Sequence, residues 1–220
     1  MNKAVVFDLD GTLIDSLGDI HAALNDVLQL RNAPPLGLET VRGFIGKGSA
    51  NLVVRALTAQ NLENDEASCA SALADFLRLY SAESAKLTTV FDGVIDALGR
   101  LQDGGFRLGI CTNKPLAPTK IVLDQFGLTR FFDTVVGGDQ LASRKPDPAM
   151  LINAMASLGA TSCLFVGDSE IDRETATAAG QPFALFTKGY RTSSIKMLNP
   201  EYYFHDYANL LNIVNLKSKE

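Results

Sequence analysis

The chain has 220 residues, of which 46% are hydrophobic and 20% charged, with a formal net charge of −5. That is enough apolar material for one full core plus a modest insertion. An acidic balance with no basic cluster denser than RTSSIK at 191–196 excludes a nucleic-acid footprint, and no apolar run approaches the ~20 residues of a membrane span.

The start, MNKAVVFDLD, lacks the apolar stretch and cleavage site of a signal peptide, so the expected location is the cytoplasm. Its AVVFDL run at 4–9 reads as a buried strand that ends on Asp8 and Asp10, followed by Gly11 and Thr12. Three helical stretches come next: SLGDIHAALNDVLQL, GSANLVVRALTAQNL and DEASCASALADFLRLYSAESAKL. Four further apolar runs then alternate with helical patterns: RLGICT at 107–112, TVVGG at 134–138, CLFVGD at 163–168 and FALFT at 183–187. Short, nearly continuous apolar strands separated by helices predict a parallel sheet covered on both faces. Asn113 ahead of Pro115, and Asp147 ahead of Pro148, predict side-chain caps at helix starts. Gly180 after ETATAA predicts a left-handed helix end. The YANLLNIVNL segment predicts a last amphipathic helix, finishing in a solvated KSKE.

Residues 10–106 separate the first two strands, far more chain than a crossover needs. The predicted organisation is therefore an α/β core, a Rossmann-like parallel sheet flanked by helices, made of residues 1–14 and 89–220. An α-helical cap domain at 15–88 is inserted after the first strand. Cys69, Cys111 and Cys163 lack CxxC spacing and read as reduced, buried thiols. His21 and His205 sit in no motif and read as packing and surface residues.

Ligands of open parallel sheets bind beyond the carboxyl ends of the strands, and this chain collects its unusual polar residues there. Asp8 and Asp10 end the first strand, Thr112 and Asn113 the second, and Asp168 the fourth; Lys145 lies in the SRKPDP loop after the third. Asp172 follows Asp168 by one helical turn, on the same face. Crowded carboxylates gain nothing in stability, so they require a cation. Asp8 and Asp168 with a backbone carbonyl offer an all-oxygen site suited to Mg²⁺. Asp172 can reach the metal's waters or orient Lys145. Thr112, Asn113 and the N–H groups of the next helix form an anion cradle, with Lys145 as the one cation expected at the rim. Such a set suits phosphoryl transfer. Asp8 attacks phosphorus, Asp10 gives a proton to the leaving oxygen, and water splits the resulting acyl phosphate on Asp8.

The segments FDLDGTLIDS, TN at 112–113, RKPDP and GDSEID, in that order, resemble the four motifs of the haloacid dehalogenase superfamily of phosphohydrolases. The resemblance spans nearly the whole chain. It implies that Asp8 is the nucleophile and Asp10 the acid/base, and that Asp8, the Asp10 carbonyl and Asp168 ligate Mg²⁺ with Asp172 beside them. It also implies that Thr112 and Lys145 hold the phosphoryl group, with Gly11, Thr12 and Asn113 around the substrate. The helical insertion resembles that superfamily's cap. FIGKGSANLVVRAL, TNKP, VVGGD and TKGY are similar to the phosphoglycolate phosphatase group, so the expected substrate is 2-phosphoglycolate. Lys47, or Arg55, is then expected to meet its carboxylate. Phosphatases of other small substrates (a sugar phosphate or a phosphorylated acid), a phosphosugar mutase, a phosphonate hydrolase with a Schiff-base cap lysine and a non-catalytic binding protein stay open. The expected partners are a small phosphorylated substrate and no nucleic acid or membrane, the chain being a monomer or homodimer.

Overall fold

A computed structural model describes residues 3–83 and 85–217. Of the expected KSKE end, residues 218–220 lie outside the described residues. The first strand, β1 (Ala4–Phe7), is wholly buried. Strand geometry alternates its side chains: Val5 and Phe7 join one apolar cluster, Ala4 and Val6 another on the opposite face. Four of the other five strands in its sheet are the anticipated ones: β4 (Arg107–Cys111), β5 (Thr134–Val136), β6 (Leu164–Gly167) and β7 (Phe183–Phe186). A further strand, β8 (Tyr202–Phe204), pairs with β7 at the edge. The order is β5-β4-β1-β6-β7-β8, parallel throughout. Strand β8 was not anticipated, because three residues with an exposed centre carry no apolar run.

Helix α5 (Val94–Asp103) supplies Val94, Leu98 and Leu101 to the first cluster, beside Leu210 and Ile213 of α10 (Leu210–Lys217). Helix α7 (Ala149–Ser157) supplies Met150, Leu151 and Ala154 to the second. Helices α6 (Leu116–Gln125), α8 (Glu170–Ala178) and the short α9 (Ile195–Leu198) complete the layers.

Between β1 and β4 the chain makes a two-stranded antiparallel clip, β2 (Ile14–Asp15) with β3 (Thr89–Val90), pairing Ile14 with Val90. The clip encloses α1 (Leu17–Gln29), α2 (Leu38–Arg42), α3 (Ser49–Ala59) and α4 (Glu66–Glu83). These helices have their own apolar cluster, centred on Leu24, Leu28, Val53, Leu57 and Phe76. Asp19, buried on α1, accepts the N–H groups of Leu87 (3.0 Å) and Thr88 (2.9 Å) and the Thr88 hydroxyl, tying the first helix to the returning chain. The short α2 was not anticipated: five residues in PPLGLETVRGF are too few to show a period.

Two of the three expected helix ends are present. Asp147 accepts the Ala149 N–H at 2.9 Å, and Gly180 has φ +64°. Asn113 does not cap α6, whose Leu116 N–H goes to Asp139 at 2.8 Å; Asn113 is used elsewhere, as described below. Cys111 and Cys163 are buried and Cys69 is only half-buried; all three are free thiols. His21 bonds the Leu36 carbonyl at 2.9 Å, and His205 is exposed beside the Thr187 hydroxyl. No helix among the described residues is long and apolar enough to cross a membrane.

Candidate active site

Beyond Phe7 the chain turns sharply out of the sheet. The Asp8 N–H still reaches the Val166 carbonyl at 2.9 Å, so Asp8 is fixed in register with β6, whose end delivers Asp168. Gly11 makes the turn possible. It has φ +86°, and a Cβ there would lie 2.5 Å from Asp168 Oδ2, so only glycine allows both the backbone and the carboxylate.

Oxygens of Asp8, Asp168 and Asp172 lie within 4.8 Å of one another, and all three residues are buried. Lys145 Nζ sits between two of them, 2.8 Å from Asp8 Oδ1 and 2.7 Å from Asp172 Oδ1. Burial alone would lower this ammonium, but Asp172 and Asp8 outweigh it and hold the group charged well above its usual range. Asp168 has no such cation among the described residues. Its partners are the Thr12 hydroxyl at 2.8 Å and the Tyr190 backbone N–H at 2.6 Å. Burial, then Asp172 and Asp8, raise its acid well above the ordinary carboxylate range. Burial likewise pushes Asp8 up to about 7, against the pull of Lys145 and with the help of Asp172. Three buried carboxylates around one ammonium leave uncompensated negative charge. Hard, all-oxygen donors short of a counter-charge are the chemistry that fits a Mg²⁺-like cation.

Asp172 is differently occupied. It forms a reciprocal cap with Ser169 at the start of α8, its Oδ2 taking the Ser169 hydroxyl at 2.6 Å and the N–H groups of Ser169 and Asp168. With Oδ1 on Lys145, both oxygens are engaged, so Asp172 orients the ammonium and the Asp168 turn.

Asn113 plays a similar supporting part. Its Oδ1 accepts the Lys145 N–H at 2.9 Å, while its Nδ2 donates to the Lys145 carbonyl at 3.0 Å and to the Gly46 carbonyl at 2.8 Å. It fastens the lysine loop and touches the helical insertion. Thr112, buried at the end of β4, accepts the Lys114 N–H at 3.2 Å.

Asp10 projects away from the carboxylate triad. Its Oδ1 accepts the Ser16 hydroxyl at 2.6 Å and Lys114 Nζ at 3.0 Å. The expectation of one cation at the rim is thereby corrected. Lys114 is a second, only 7% exposed, whose ammonium also donates to the Tyr80 hydroxyl of α4. Burial opposes its charge, but Asp10 and Tyr80 raise it above the ordinary lysine range. The signal was present in TNKP, where a lysine directly follows the rim residues.

Tyr190 was missed as well. Its phenol accepts the N–H groups of Ser16 (2.8 Å) and Leu17 (3.1 Å) and donates to Asp15 (2.8 Å). A cavity of about 60 Å³ opens among Asp8, Asp10, Thr112 and Lys114, with Ile20, Ile45, Leu52, Phe76 and Tyr80 facing them from the insertion. Lys47 is exposed and does not line that cavity. Nor does Arg55, which donates to the Gly43 carbonyl and lies over the Phe44 ring.

Comparison with known proteins gives the family. The model of the haloacid dehalogenase-like hydrolases matches residues 5–186. A phosphoglycolate phosphatase of Cereibacter sphaeroides is 45% identical over 194 residues, covering 88% of this chain and 89% of the relative. One from Rhodobacter capsulatus is 42% identical over 214 residues, 97% of each. Among solved structures, a predicted phosphoglycolate phosphatase from Haemophilus somnus superimposes with a TM-score of 0.91 at 30% identity, covering 96% of this chain and 97% of that one. With its four motifs gathered at one sheet edge and a family match over most of its length, the chain belongs to the haloacid dehalogenase-like hydrolases.

Proposed function

We propose that this protein is a Mg²⁺-dependent phosphomonoesterase that works through a phosphoaspartyl intermediate on Asp8, with 2-phosphoglycolate as its substrate. The observation that carries the reading is the meeting of Asp8, Asp168 and Lys145, with Asp10 two residues along the same turn. The relatives named as phosphoglycolate phosphatases support the choice of substrate.

In this reading Asp8 attacks phosphorus, forming the Asp8 O–P bond as the ester P–O bond breaks. Asp10 gives its proton to the leaving oxygen, then takes one from the water that hydrolyses the acyl phosphate. Lys145 and Thr112 hold the phosphoryl oxygens; Asp172 and Asn113 keep Lys145 in place. Asp8, the Asp10 carbonyl and Asp168 would hold Mg²⁺, which when bound supplies positive charge to the carboxylates and the phosphoryl group. Residues 15–88 form a cap domain whose apolar wall excludes water from the cavity. The small cavity favours a short substrate over a sugar phosphate. The free cysteines suit a cytoplasmic enzyme, working as a monomer or homodimer with no nucleic-acid or membrane partner.

The test is phosphate release from a panel of small phosphorylated metabolites, with and without Mg²⁺. The parent should release phosphate only with the metal and fastest from 2-phosphoglycolate. Asp8→Asn should be inactive on every compound. Metal-independent turnover, or an active Asp8→Asn protein, would overturn the reading.

A further inference from the structure

We infer that Lys114 is the specificity-determining residue of this site, its ammonium receiving a carboxylate carried on the leaving-group side of the phosphate ester. The inference rests on the phosphatase reading above and adds which residue selects the substrate.

Lys114 is the only cationic residue among the described residues lining the cavity. Its side chain is about 5% exposed, so its charge has been taken out of water, which is costly unless something inside the site uses it. An ammonium has three N–H donors. Asp10 and the Tyr80 hydroxyl are its hydrogen-bond partners among the described residues, and the Tyr80 ring lies 4.5 Å away. Its three contacts match its three donors, so an incoming carboxylate takes the place of the longest of them, to Asp10 at 3.3 Å.

Position decides what that anion is. Lys114 Nζ lies 3.0 and 3.3 Å from the two oxygens of Asp10, the group assigned to the leaving oxygen. A charge bound at Lys114 therefore sits beside the ester oxygen and away from Lys145, whose contacts are Asp8 and Asp172. A carboxylate close to the ester oxygen is the anion that suits this place. In 2-phosphoglycolate a single methylene separates ester oxygen and carboxylate. The facing wall is mostly apolar, with Ile20, Ile45, Leu52 and Phe76, and among the described residues Ser49 and Tyr80 are its hydroxyl groups, so most of a sugar's hydroxyls would be left unpaired. Lys47 and Arg55 stand outside the cavity, which leaves the reading of the acid to the sheet side of the site.

The test compares kcat/KM for 2-phosphoglycolate with that for ethyl phosphate, which has the same two carbons and no carboxylate, in saturating Mg²⁺. The wild type should prefer the acid on the order of 100-fold, as expected for a desolvated charge pair. In Lys114→Gln the loss of Asp10's partner lowers both rates, so the ratio is the readout, and it should fall to within a few-fold of one. Lys114→Arg should keep part of the preference. An unchanged ratio in Lys114→Gln overturns the inference. Should that variant not fold, inhibition of the wild type by 3-phosphonopropionate and by propylphosphonate, each with a methylene for the bridging oxygen, decides: similar inhibition constants overturn the assignment, a large gap supports it. A wild type that hydrolyses neither ester sinks the phosphatase reading and this inference together. One that hydrolyses both equally sinks the role of Lys114 and the choice of substrate and leaves the phosphatase reading standing.

Discussion

Tyr190 and Asp168 are joined by a 2.6 Å hydrogen bond from the tyrosine's backbone N–H to Asp168 Oδ2, while the phenol of the same tyrosine holds the first turn of α1. The two contacts come from different parts of one residue and can be separated by mutation. Tyr190→Phe keeps the backbone donor but leaves the Ser16 N–H without its acceptor and the Leu17 N–H with Asp15 Oδ1 alone. We expect a stability loss of about 1–3 kcal/mol, measured by denaturant unfolding, with the Mg²⁺-induced rise in melting temperature retained. A collapse of that rise would show that the phenol itself serves the Asp168 side.

Lys145 is the sole cation touching the triad among the described residues. Lys145→Met strands two buried carboxylates, and breaking a buried pair from one side costs about 3–5 kcal/mol. With Mg²⁺ present to restore the fold, turnover should still fall by roughly 10²–10³-fold, the usual scale for one lost charge-stabilising donor. Equal activity in parent and variant at saturating metal would rule out phosphoryl contact.

The metal-free protein should respond to pH in a definite direction. Asp8 has a folded pKa of about 7 against an ordinary 3.8. A raised carboxylate contributes stability that is full below the unfolded value and is lost as pH rises through the folded one. Melting temperature without metal should therefore decline between pH 4 and pH 7–8. In its proposed role as a metal ligand Asp8 must be ionised, so the increment given by Mg²⁺ should be larger at pH 8 than at pH 5.5. Asp8→Asn should flatten much of both trends in calorimetric scans.

Asn113→Ala removes three hydrogen bonds at once. The Lys145 N–H loses its acceptor inside the protein, at a cost of about 1–3 kcal/mol. Hydrogen exchange should speed up at the Lys145 amide while the amides of β4 stay protected. Unaltered exchange there would place Asn113 in contact with substrate alone.

Much of the site could be read without coordinates because strand ends fall where apolar runs stop, and Asp8, Thr112 and Asp168 each end one. Lys145 was recognisable from its RKPDP setting. Side-chain partnerships were not readable. Asn113 looks like a helix cap before proline, yet its amide is matched to the lysine loop. Thr12 looks like a substrate contact, but its hydroxyl steadies Asp168. Lys114 and Tyr80 meet across 34 positions of chain, and Tyr190 and Asp15 across 175; no local pattern encodes such pairs. Edge strand β8 escaped for the opposite reason: it is too short to have a pattern.

The clip made by β2 and β3 has a consequence for how such a chain can diversify. Pairing Ile14 with Val90 sets the two ends of the helical segment side by side, so the sheet is indifferent to how much polypeptide is looped out between them. That segment can be lengthened, trimmed or exchanged for another while Asp8 and its neighbouring residues keep their places. Selectivity written there would change readily, whereas a determinant such as Lys114, rooted next to Thr112, would persist through the exchange.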